Sequence, residues 1–302
     1  MHPTVERIAT AIGTIILGKD AQIRLALACL LARGHLLIED VPGVGKTSLA
    51  HVLAKVLGLH FQRIQFTSDL LPADILGVAV FERETGQFKF HPGPIFSQVV
   101  LADEVNRATP KTQSALLEAM EETQVTVEGE TRLLPRPFFV IATQNPVHQI
   151  GTFPLPESQL DRFLVRIQLG YPDSDAEREL LRGDDRRRMI KEIGAVIDAS
   201  ELTALQDAVD QVHVSEALLD YAQALIQFSR QSAKFPLGLS PRAGLALLQC
   251  ARAWALIDGR DIVLPEDVQA VLPGVVTHRL RNGEDGIGNN PAQVLIESVP
   301  LP

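Results

Sequence analysis

The chain has 302 residues, and its 28 Lys and Arg against 37 Asp and Glu give a formal charge of −9. A hydrophobic fraction of 46% with 22% charged residues is ordinary for a globular protein and excludes a disordered, collagen-like or disulfide-stapled chain. The length suggests two domains, and the acidic balance argues against a protein built mainly to coat nucleic acid.

Neither a membrane span nor an export signal is predicted. The longest apolar run near the N-terminus covers residues 25–32, far short of the roughly 20 residues that a spanning helix needs. The opening MHPTVERIAT lacks the layout of an export signal, so we expect a cytoplasmic protein. Cys29 and Cys250 lie in apolar helical patterns without metal-ligand spacing, which predicts buried, reduced thiols.

Up to about residue 170, short apolar runs alternate with helical patterns. Asp20 is predicted to cap a helix over residues 21–33 that ends at Gly34. The apolar runs predict strands at residues 35–39, 61–66, 98–102, 138–142 and 164–169. Strands separated by helices in this way indicate βαβ units, a parallel sheet and a three-layer α/β fold.

A phosphate-binding loop is predicted after the first strand. Its glycines allow backbone N–H groups to surround a phosphate, and the helix that follows adds positive potential. Lys46 would reach the β- and γ-phosphates, and the Thr47 hydroxyl would ligate Mg²⁺. Asp40 stands where the strict motif has glycine, yet the strand–loop–helix context favours nucleotide binding over an incidental Gly-rich turn. The candidate nucleotide-binding residues are Gly43, Val44, Gly45, Lys46, Thr47 and Ser48.

Two β-hairpins interrupt the alternation. The first pairs residues 78–81 with 87–90, and the second pairs residues 124–127 with 131–134. Between them, Thr109 as N-cap and Pro110 as first residue are predicted to open a helix that runs to Glu122. Hairpins inserted in an α/β sheet are surface features that are more often functional than structural.

Two adjacent carboxylates, Asp103 and Glu104, end the run VVLA. Neighbouring residues of a strand point to opposite sides, so the two carboxylates would have different tasks. Asp103 would hold Mg²⁺, usually through water, and Glu104 would orient or deprotonate the attacking water. A strand that simply ends in surface acids is the alternative, which the preceding phosphate loop disfavours.

Three further side chains are candidates for contact with the nucleotide. Asn145 follows another buried run, at the sheet edge where strand carboxyl ends gather, and would position water. Arg162 follows a short helical pattern, and Arg242 lies in the first turn of a helix capped by Ser240. A cation there opposes the helix dipole, which suggests a phosphate partner, although a local ion pair is the commoner explanation for each arginine.

After about residue 172, helical patterns replace the strands, at residues 175–182, 201–212, 215–230, 242–257 and from Pro265. We therefore predict two domains, an α/β domain over residues 1–173 and a smaller, all-α domain over residues 174–302.

These motifs together resemble the MoxR family of AAA+ ATPases. The resemblance assigns Gly43–Thr47 as Walker A, Asp103-Glu104 as Walker B, Asn145 as sensor 1, Arg162 as the arginine finger and Ser240-Pro241-Arg242 as sensor 2. It is also carried by the segments EDVPGVGKT, LADEVNRATPKTQSALLEAMEE, IATQNP and PLPESQLDRF. It implies an AAA+ three-layer, parallel-sheet P-loop domain with inserted hairpins, followed by an all-α lid domain.

The resemblance also implies an assembly. The hairpin over residues 78–90 would correspond to the helix-2 insert and that over 124–134 to the pre-sensor-1 hairpin, elements that approach a central pore in similar proteins. Residues 15–19, with Ile16 and Gly18, would pack against adenine. Arg162 would act on the ATP of a neighbour, which implies a ring, most often a hexamer. Similar proteins remodel client proteins, often with a partner that carries a von Willebrand factor A domain.

The leading hypothesis is therefore a ring-forming ATPase that uses Mg²⁺ to convert ATP and water to ADP and phosphate. Lys46 and Mg²⁺ would stabilise phosphoryl charge, and Glu104 and Asn145 would position water. A nucleotide-gated assembly scaffold with little turnover and a motor subunit of a metal-chelatase-like complex stay open. A nucleic-acid motor is disfavoured by the charge of −9.

Overall fold

The computed structural model of the protein describes residues 1–145, 151–183, 186–280 and 290–301. The helices are α1 (Pro3–Gly13), α2 (Asp20–Leu31), α3 (Lys46–Val56), α4 (Pro72–Leu76), α5 (Pro110–Glu122), α6 (Glu157–Leu160), α7 (Ser174–Leu181), α8 (Arg186–Glu192), α9 (Ala199–Gln211), α10 (Glu216–Gln231), α11 (Pro241–Ile257), α12 (Pro265–Val276) and α13 (Pro291–Ser298). The strands are β1 (Leu36–Glu39), β2 (Phe61–Gln65), β3 (Gly77–Glu82), β4 (Gln87–Pro92), β5 (Val99–Asp103), β6 (Gln124–Val127), β7 (Glu130–Leu133), β8 (Phe139–Gln144) and β9 (Val165–Ile167).

The five predicted strands form one sheet in the order β2-β5-β8-β1-β9, and the prediction of an α/β fold with a parallel sheet is confirmed. The pairs β2–β5 and β5–β8 are parallel, with Ile64 opposite Ala102 and Ala102 opposite Ala142. Every residue of β5 and β8 is buried. Strands covered on both faces need apolar side chains on both, which explains their continuous apolar runs. Their carboxyl ends lie side by side at one edge of the sheet, where ligands bind in such folds.

Strand β2 is the strand predicted from the apolar run at residues 61–66, but most of its side chains are not buried. Only Ile64 is buried within the strand, while Gln62, Arg63 and Gln65 are exposed. The physical reason is its position at the edge of the sheet, where one side of the strand has no neighbour in the sheet order. Polar side chains are tolerated there, and two of them enter the site described below.

Both predicted hairpins are present. Strands β3 and β4 are antiparallel with Phe81 opposite Phe88, and β6 and β7 are antiparallel with Val125 opposite Arg132. The turn between β6 and β7 has left-handed backbone at Glu128 (φ 53°) and Gly129 (φ 83°), the conformation that two-residue hairpin turns require. Helix α5 begins at Pro110 and ends at Glu122, as predicted.

The predicted helices of the C-terminal half agree with α7, α9, α10, α11 and α12 to within one or two residues. The side chain of Ser240 accepts the N–H of Ala243 at 3.0 Å, so the predicted cap of α11 is confirmed. The predicted cap of α2 is wrong, because Lys19 occupies the N-cap position and Asp20 is the first helical residue. Helices α1, α4 and α13 were not predicted.

By its internal contacts the chain divides into two compact units. The sheet unit comprises Leu37–Arg162 and Gln168–Ala199. The helical unit comprises Met1–Leu36, Phe163–Ile167 and Ser200–Pro302. This division is not the one predicted at residue 173, since α1 and α2 group with the later helices, and domains 1–173 and 174–302 stay a prediction.

Helix α2 packs against α11 inside the helical unit. Both cysteines are buried there as predicted, Cys29 on α2 and Cys250 on α11. A Cβ on Gly34 would lie 2.2 Å from Leu164 Cδ2, so the close approach of these segments requires glycine. None of the described helices combines the length and hydrophobicity needed to cross a membrane.

Candidate functional site

The loop between β1 and α3 has the backbone of a phosphate-binding loop. Gly43 (φ 88°) and Gly45 (φ 96°) adopt left-handed conformations, and Gly45 is the N-cap of α3. A Cβ built on either glycine would meet nothing within 4 Å, so glycine is required by the backbone conformation and not by lack of space. The first N–H groups of a helix have no partner within it, so those at the start of α3, from Lys46 and Thr47 onward, can bind a phosphate held by the loop.

Asp40, the departure from the strict motif, fixes the start of this loop. Its side chain is nearly buried. One carboxylate oxygen accepts the N–H of Val41 at 2.8 Å, and the other accepts the N–H of Gly170 at 2.6 Å. Each is a charge-assisted hydrogen bond. The carboxylate thus ties the loop to the segment that follows β9.

The Lys46 amine lies at the centre of the site. It donates to the carbonyl oxygens of Asp40 (2.5 Å) and Val41 (3.0 Å) and to Asn145 Oδ1 (3.1 Å). Burial lowers the pKa of Lys46, while the carboxylates of Asp40, Asp103 and Glu104 act in the opposite direction. An amine held only by neutral oxygens is available to a phosphate, which is the stronger acceptor.

Asp103 ends strand β5 with its side chain almost buried. Oδ1 accepts the hydroxyl of Thr143 at 2.5 Å. Oδ2 accepts both Nε (3.0 Å) and Nη2 (2.7 Å) of Arg63, and the Thr47 hydroxyl lies 3.4 Å from the same oxygen. The predicted pair of Mg²⁺ ligands, Thr47 and Asp103, is therefore brought together.

Glu104 leaves the strand instead of continuing it. Its backbone is left-handed (φ 58°) and opens a 3-10 turn, so strand alternation is the wrong explanation for the separation of the two acids. The N–H of Glu104 donates to Thr143 Oγ1 at 2.8 Å. Its carboxylate accepts from Asn145 Nδ2 (3.2 Å), Arg107 (2.9 Å) and Gln65 Nε2 (3.2 Å). A turn stabilised by these contacts aims the second acid independently of the first.

Asn145 connects the two charged groups. Its Oδ1 accepts from the amine of Lys46 at 3.1 Å, and its Nδ2 donates to the carboxylate of Glu104 at 3.2 Å. Asn106, itself buried, donates to the backbone oxygen of Asn145 at 3.2 Å. An amide can satisfy a cation and an anion at once because it carries both an acceptor and donors.

The residues present fit a Mg²⁺–nucleotide complex. Mg²⁺ prefers oxygen ligands, and a hydroxyl and a carboxylate oxygen lie together at Thr47 and Asp103. Within the described ranges no group of three or more His, Cys, Asp or Glu side chains could hold a metal ion. Mg²⁺ bound with a nucleotide usually takes its other ligands from phosphate oxygens and water.

Four other predicted residues lie outside this cluster of contacts. Arg162 follows α6 and forms an ion pair of 2.9 Å with Glu121 of the same unit. Ile16 is buried, Gly18 has a left-handed backbone (φ 63°), and Arg242 is exposed on the first turn of α11. These last three belong to the helical unit, and their predicted contacts with a nucleotide stay predictions, as does the action of Arg162 on a neighbour.

Several residues that contact the acids or Asn145 were not predicted, namely Arg63, Gln65, Asn106, Arg107 and Thr143. The signal for two of them was present, since Arg63 and Gln65 alternate along β2 and point to the same side. Their contact with Walker-type acids depends on the strand register, in which Gln65 lies opposite Asp103.

Comparison with known proteins agrees with this geometry. A model of the ATPase family associated with various cellular activities (AAA) matches residues 35–165, and a model of the AAA lid domain matches residues 227–297. The chain is 46% identical to the uncharacterized protein YeaC of Bacillus subtilis, over 93% of this chain and 88% of YeaC. It is 41% identical to chaperone MoxR1 of Mycobacterium tuberculosis, over 92% of this chain and 75% of that protein. The crystal structure of a Cytophaga hutchinsonii protein assigned as an ATPase superposes with a TM-score of 0.91 at 35% identity, covering 100% of this chain and 96% of that one.

Proposed function

Because the chain belongs to the MoxR family of AAA+ ATPases, we propose that it hydrolyses ATP to ADP and phosphate in a ring assembly that remodels or activates client proteins. The observation that carries the proposal is the line of contacts from Lys46 through Asn145 to Glu104, at 3.1 and 3.2 Å. It places the cation expected to bind phosphate and the carboxylate expected to activate water on either side of one amide, and enzymes that attack the γ-phosphate with water use both kinds of group.

Phosphate binding is assigned to the loop and the start of α3. The backbone N–H groups around Gly43 and Gly45 and the amine of Lys46 would hold the β- and γ-phosphates. Thr47 and Asp103 would hold Mg²⁺, which neutralises phosphoryl charge when bound. Lys46 would exchange its contacts with neutral carbonyl oxygens for contacts with phosphate oxygens, so binding strengthens the interactions of a cation that is already in place.

Water activation is assigned to Glu104 and Asn145. The oxygen of a water molecule attacks the γ-phosphorus, the bond from that phosphorus to the β–γ bridging oxygen breaks, and Glu104 accepts the proton of the water. Asn145, held by Asn106 and by Lys46, fixes the direction of the Glu104 carboxylate. The left-handed backbone at Glu104 presents the acid away from the strand that carries Asp103.

The ring is part of the same proposal. Arg162, paired with Glu121 in the single chain, would exchange this carboxylate for the γ-phosphate of a neighbouring subunit. Such an arginine contributes about 10³–10⁵ to the rate in related phosphoryl-transfer enzymes. We also propose that the ring is a hexamer in the cytoplasm. It would act on a client protein together with a partner that carries a von Willebrand factor A domain. The name of the relative chaperone MoxR1 supports the role in remodelling.

Three substitutions test the site. Lys46→Ala is expected to lose nucleotide binding, whereas Lys55→Ala, a lysine in the last turn of the same helix, keeps it. Glu104→Gln is expected to bind ATP normally and to lower turnover by about 100-fold or more, since general-base catalysis contributes about 10²–10⁴. Binding of a fluorescent ATP analogue and release of phosphate are the two measurements.

The same experiment distinguishes the scaffold hypothesis. If the wild type binds ATP but releases phosphate no faster than Glu104→Gln at any protein concentration, the protein is a nucleotide-gated scaffold and the proposed hydrolysis is wrong. If Lys46→Ala and Lys55→Ala bind ATP equally well, the nucleotide site itself is wrong.

A further inference from the structure

Arg63 donates hydrogen bonds to the Asp103 oxygen that lies beside Thr47, the other predicted Mg²⁺ ligand. Its Nε and Nη2 both donate to Asp103 Oδ2, at 3.0 and 2.7 Å. The Thr47 hydroxyl lies 3.4 Å from that same oxygen, whereas Asp103 Oδ1 accepts the hydroxyl of Thr143. The guanidinium therefore lies at the oxygen through which Asp103 would serve a cation.

Electrostatics explains why a cation is needed there before any metal arrives. The side chain of Asp103 is only 9% exposed and is adjacent in sequence to the carboxylate of Glu104. A nearly buried carboxylate without a partner is costly, and a second carboxylate nearby adds repulsion. Each acid has its own arginine, Arg63 on Asp103 at 2.7 Å and Arg107 on Glu104 at 2.9 Å.

The ion pair between Arg63 and Asp103 can be broken at little cost. Both donors converge on a single oxygen, in place of the two parallel bonds to two oxygens that make arginine–carboxylate pairs strong. The Arg63 side chain is 49% exposed, so its head can return to water at little cost. By contrast, Arg260 contacts both oxygens of the buried Asp267 and is itself only 29% exposed.

From this we infer that Arg63 is the counter-cation of the metal-free site and competes with Mg²⁺ for Asp103, so that loading of the Mg²⁺–nucleotide complex displaces its guanidinium. The inference rests on the proposed function, since it concerns the same cation site. It makes Arg63 a positioning residue that holds Asp103 in place before loading and sets the Mg²⁺ concentration at which the site fills.

The test is the Mg²⁺ dependence of nucleotide binding. The affinity for a fluorescent ADP analogue is measured over a series of free Mg²⁺ concentrations, and the midpoint of the increase is compared between variants. Arg63→Gln removes the competitor and is expected to lower the midpoint by about twofold to fivefold, since a partly exposed ion pair contributes up to about 1 kcal/mol and 1.4 kcal/mol corresponds to tenfold. Arg63→Lys, which keeps the charge, should shift the midpoint less.

Arg107→Gln is the matched control, because Arg107 is similarly exposed (55%) but pairs with Glu104. A general change of charge near the site would shift both variants equally, whereas competition for Asp103 shifts only Arg63→Gln. The melting temperature in EDTA is a second readout, expected to fall in Arg63→Gln and to recover with Mg²⁺ and ADP.

An unchanged or raised midpoint in Arg63→Gln, or an equal shift in Arg107→Gln, overturns the inference while leaving the proposed function intact. A wild type whose ADP binding does not depend on Mg²⁺ overturns the cation site itself, and the role of Arg63 with it.

Discussion

Among single residues, Asp40 carries the clearest structural role in the site. Its buried carboxylate accepts the N–H groups of Val41 and Gly170 at 2.8 and 2.6 Å, and its backbone oxygen accepts the Lys46 amine. These contacts join the phosphate-binding loop to a segment 130 residues later in the chain. The orientation of the loop thus depends on one side chain.

We expect Asp40→Ala to lower the free energy of unfolding by about 1–3 kcal/mol, because two backbone N–H groups lose a charged acceptor. Urea denaturation measures the change. The control is Glu84→Ala, at an exposed glutamate of the same unit, which should change stability by less than about 0.5 kcal/mol. Equal stability of Asp40→Ala and the wild type would show that water or neighbouring groups replace the carboxylate.

The two cysteines predict a pH dependence. Burial raises the pKa of the Cys250 thiol to about 12 and raises that of Cys29 well above its usual value. Both thiols therefore stay neutral at pH 8, and thiol reagents should modify them only as the protein unfolds.

The sign of the effect on stability follows from the same shifts. Above the ordinary thiol value of about 9, the unfolded chain loses protons that the folded protein keeps, so stability falls as the pH rises from about 9 toward 12. Cys29→Ala/Cys250→Ala removes two buried side chains and lowers stability at every pH, so the stability difference between the wild type and this variant should be constant below pH 8 and should shrink as the pH rises through this window. Rapid modification of either thiol in the native protein at pH 8 would contradict the burial of the two cysteines.

Among the structural elements, the hairpin of β3 and β4 combines one anchored aromatic residue with two exposed ones. Phe90 lies under the guanidinium of Arg132 from the second hairpin, 4.0 Å from the ring centre, and contacts Phe96 edge-on. Phe81 and Phe88 form an edge-on pair farther along the hairpin and are 51% and 71% exposed. The anchored part holds the hairpin, and the exposed pair is available for contact with other molecules.

We predict that Phe90→Ala destabilises the hairpin by roughly 2 kcal/mol, from the lost cation–π contact, the lost aromatic contact and lost burial. Phe88→Ala, an equal change of side chain at the exposed position, should cost less than about 1 kcal/mol. Hydrogen exchange of the β3 and β4 amides measures local opening directly. Equal exchange rates in the two variants would contradict the assignment of Phe90 as the anchor.

The predictability of each element followed its burial. Strands β5 and β8 are covered on both faces, so their apolar runs identified them, whereas the exposure of Gln62, Arg63 and Gln65 on β2 had not been predicted. Helix α1 had a usable signal, since Pro3 opens it and Val5, Ile8 and Ile12 are its buried residues at helical spacing. The edge position of β2 depends on sheet order, which local patterns do not specify.

Site residues that belong to a sequence motif could be predicted. Site residues that reach the acids only through the pairing of two strands could not. Lys46, Thr47, Asp103, Glu104 and Asn145 were predicted from motifs and from the strands they follow, and the structure brings them together. Contacts from β2 to the two acids required the pairing of β2 with β5, which aligns Gln65 with Asp103. The left-handed turn at Glu104 left no signal in the sequence, since glutamate seldom adopts it.

At the scale of the whole molecule, we propose that each catalytic site is completed by a neighbouring subunit. Within one chain, Glu104 is positioned by Asn145, Arg107 and Gln65, while Arg162 is paired with Glu121. A base on one subunit and an arginine from the next would make turnover depend on assembly, as in other enzymes that use an arginine supplied in trans.

The most direct test measures ATP turnover per subunit over a protein dilution series, for the wild type, Glu104→Gln, Arg162→Ala and an equal mixture of the two variants. Arg178→Ala on α7 is the control for loss of an exposed arginine. We predict that wild-type turnover per subunit falls on dilution and that each variant alone is inactive. The mixture should regain activity, because an Arg162→Ala subunit keeps Glu104 and receives Arg162 from its Glu104→Gln neighbour. Turnover independent of concentration, with no recovery in the mixture, would contradict a shared site.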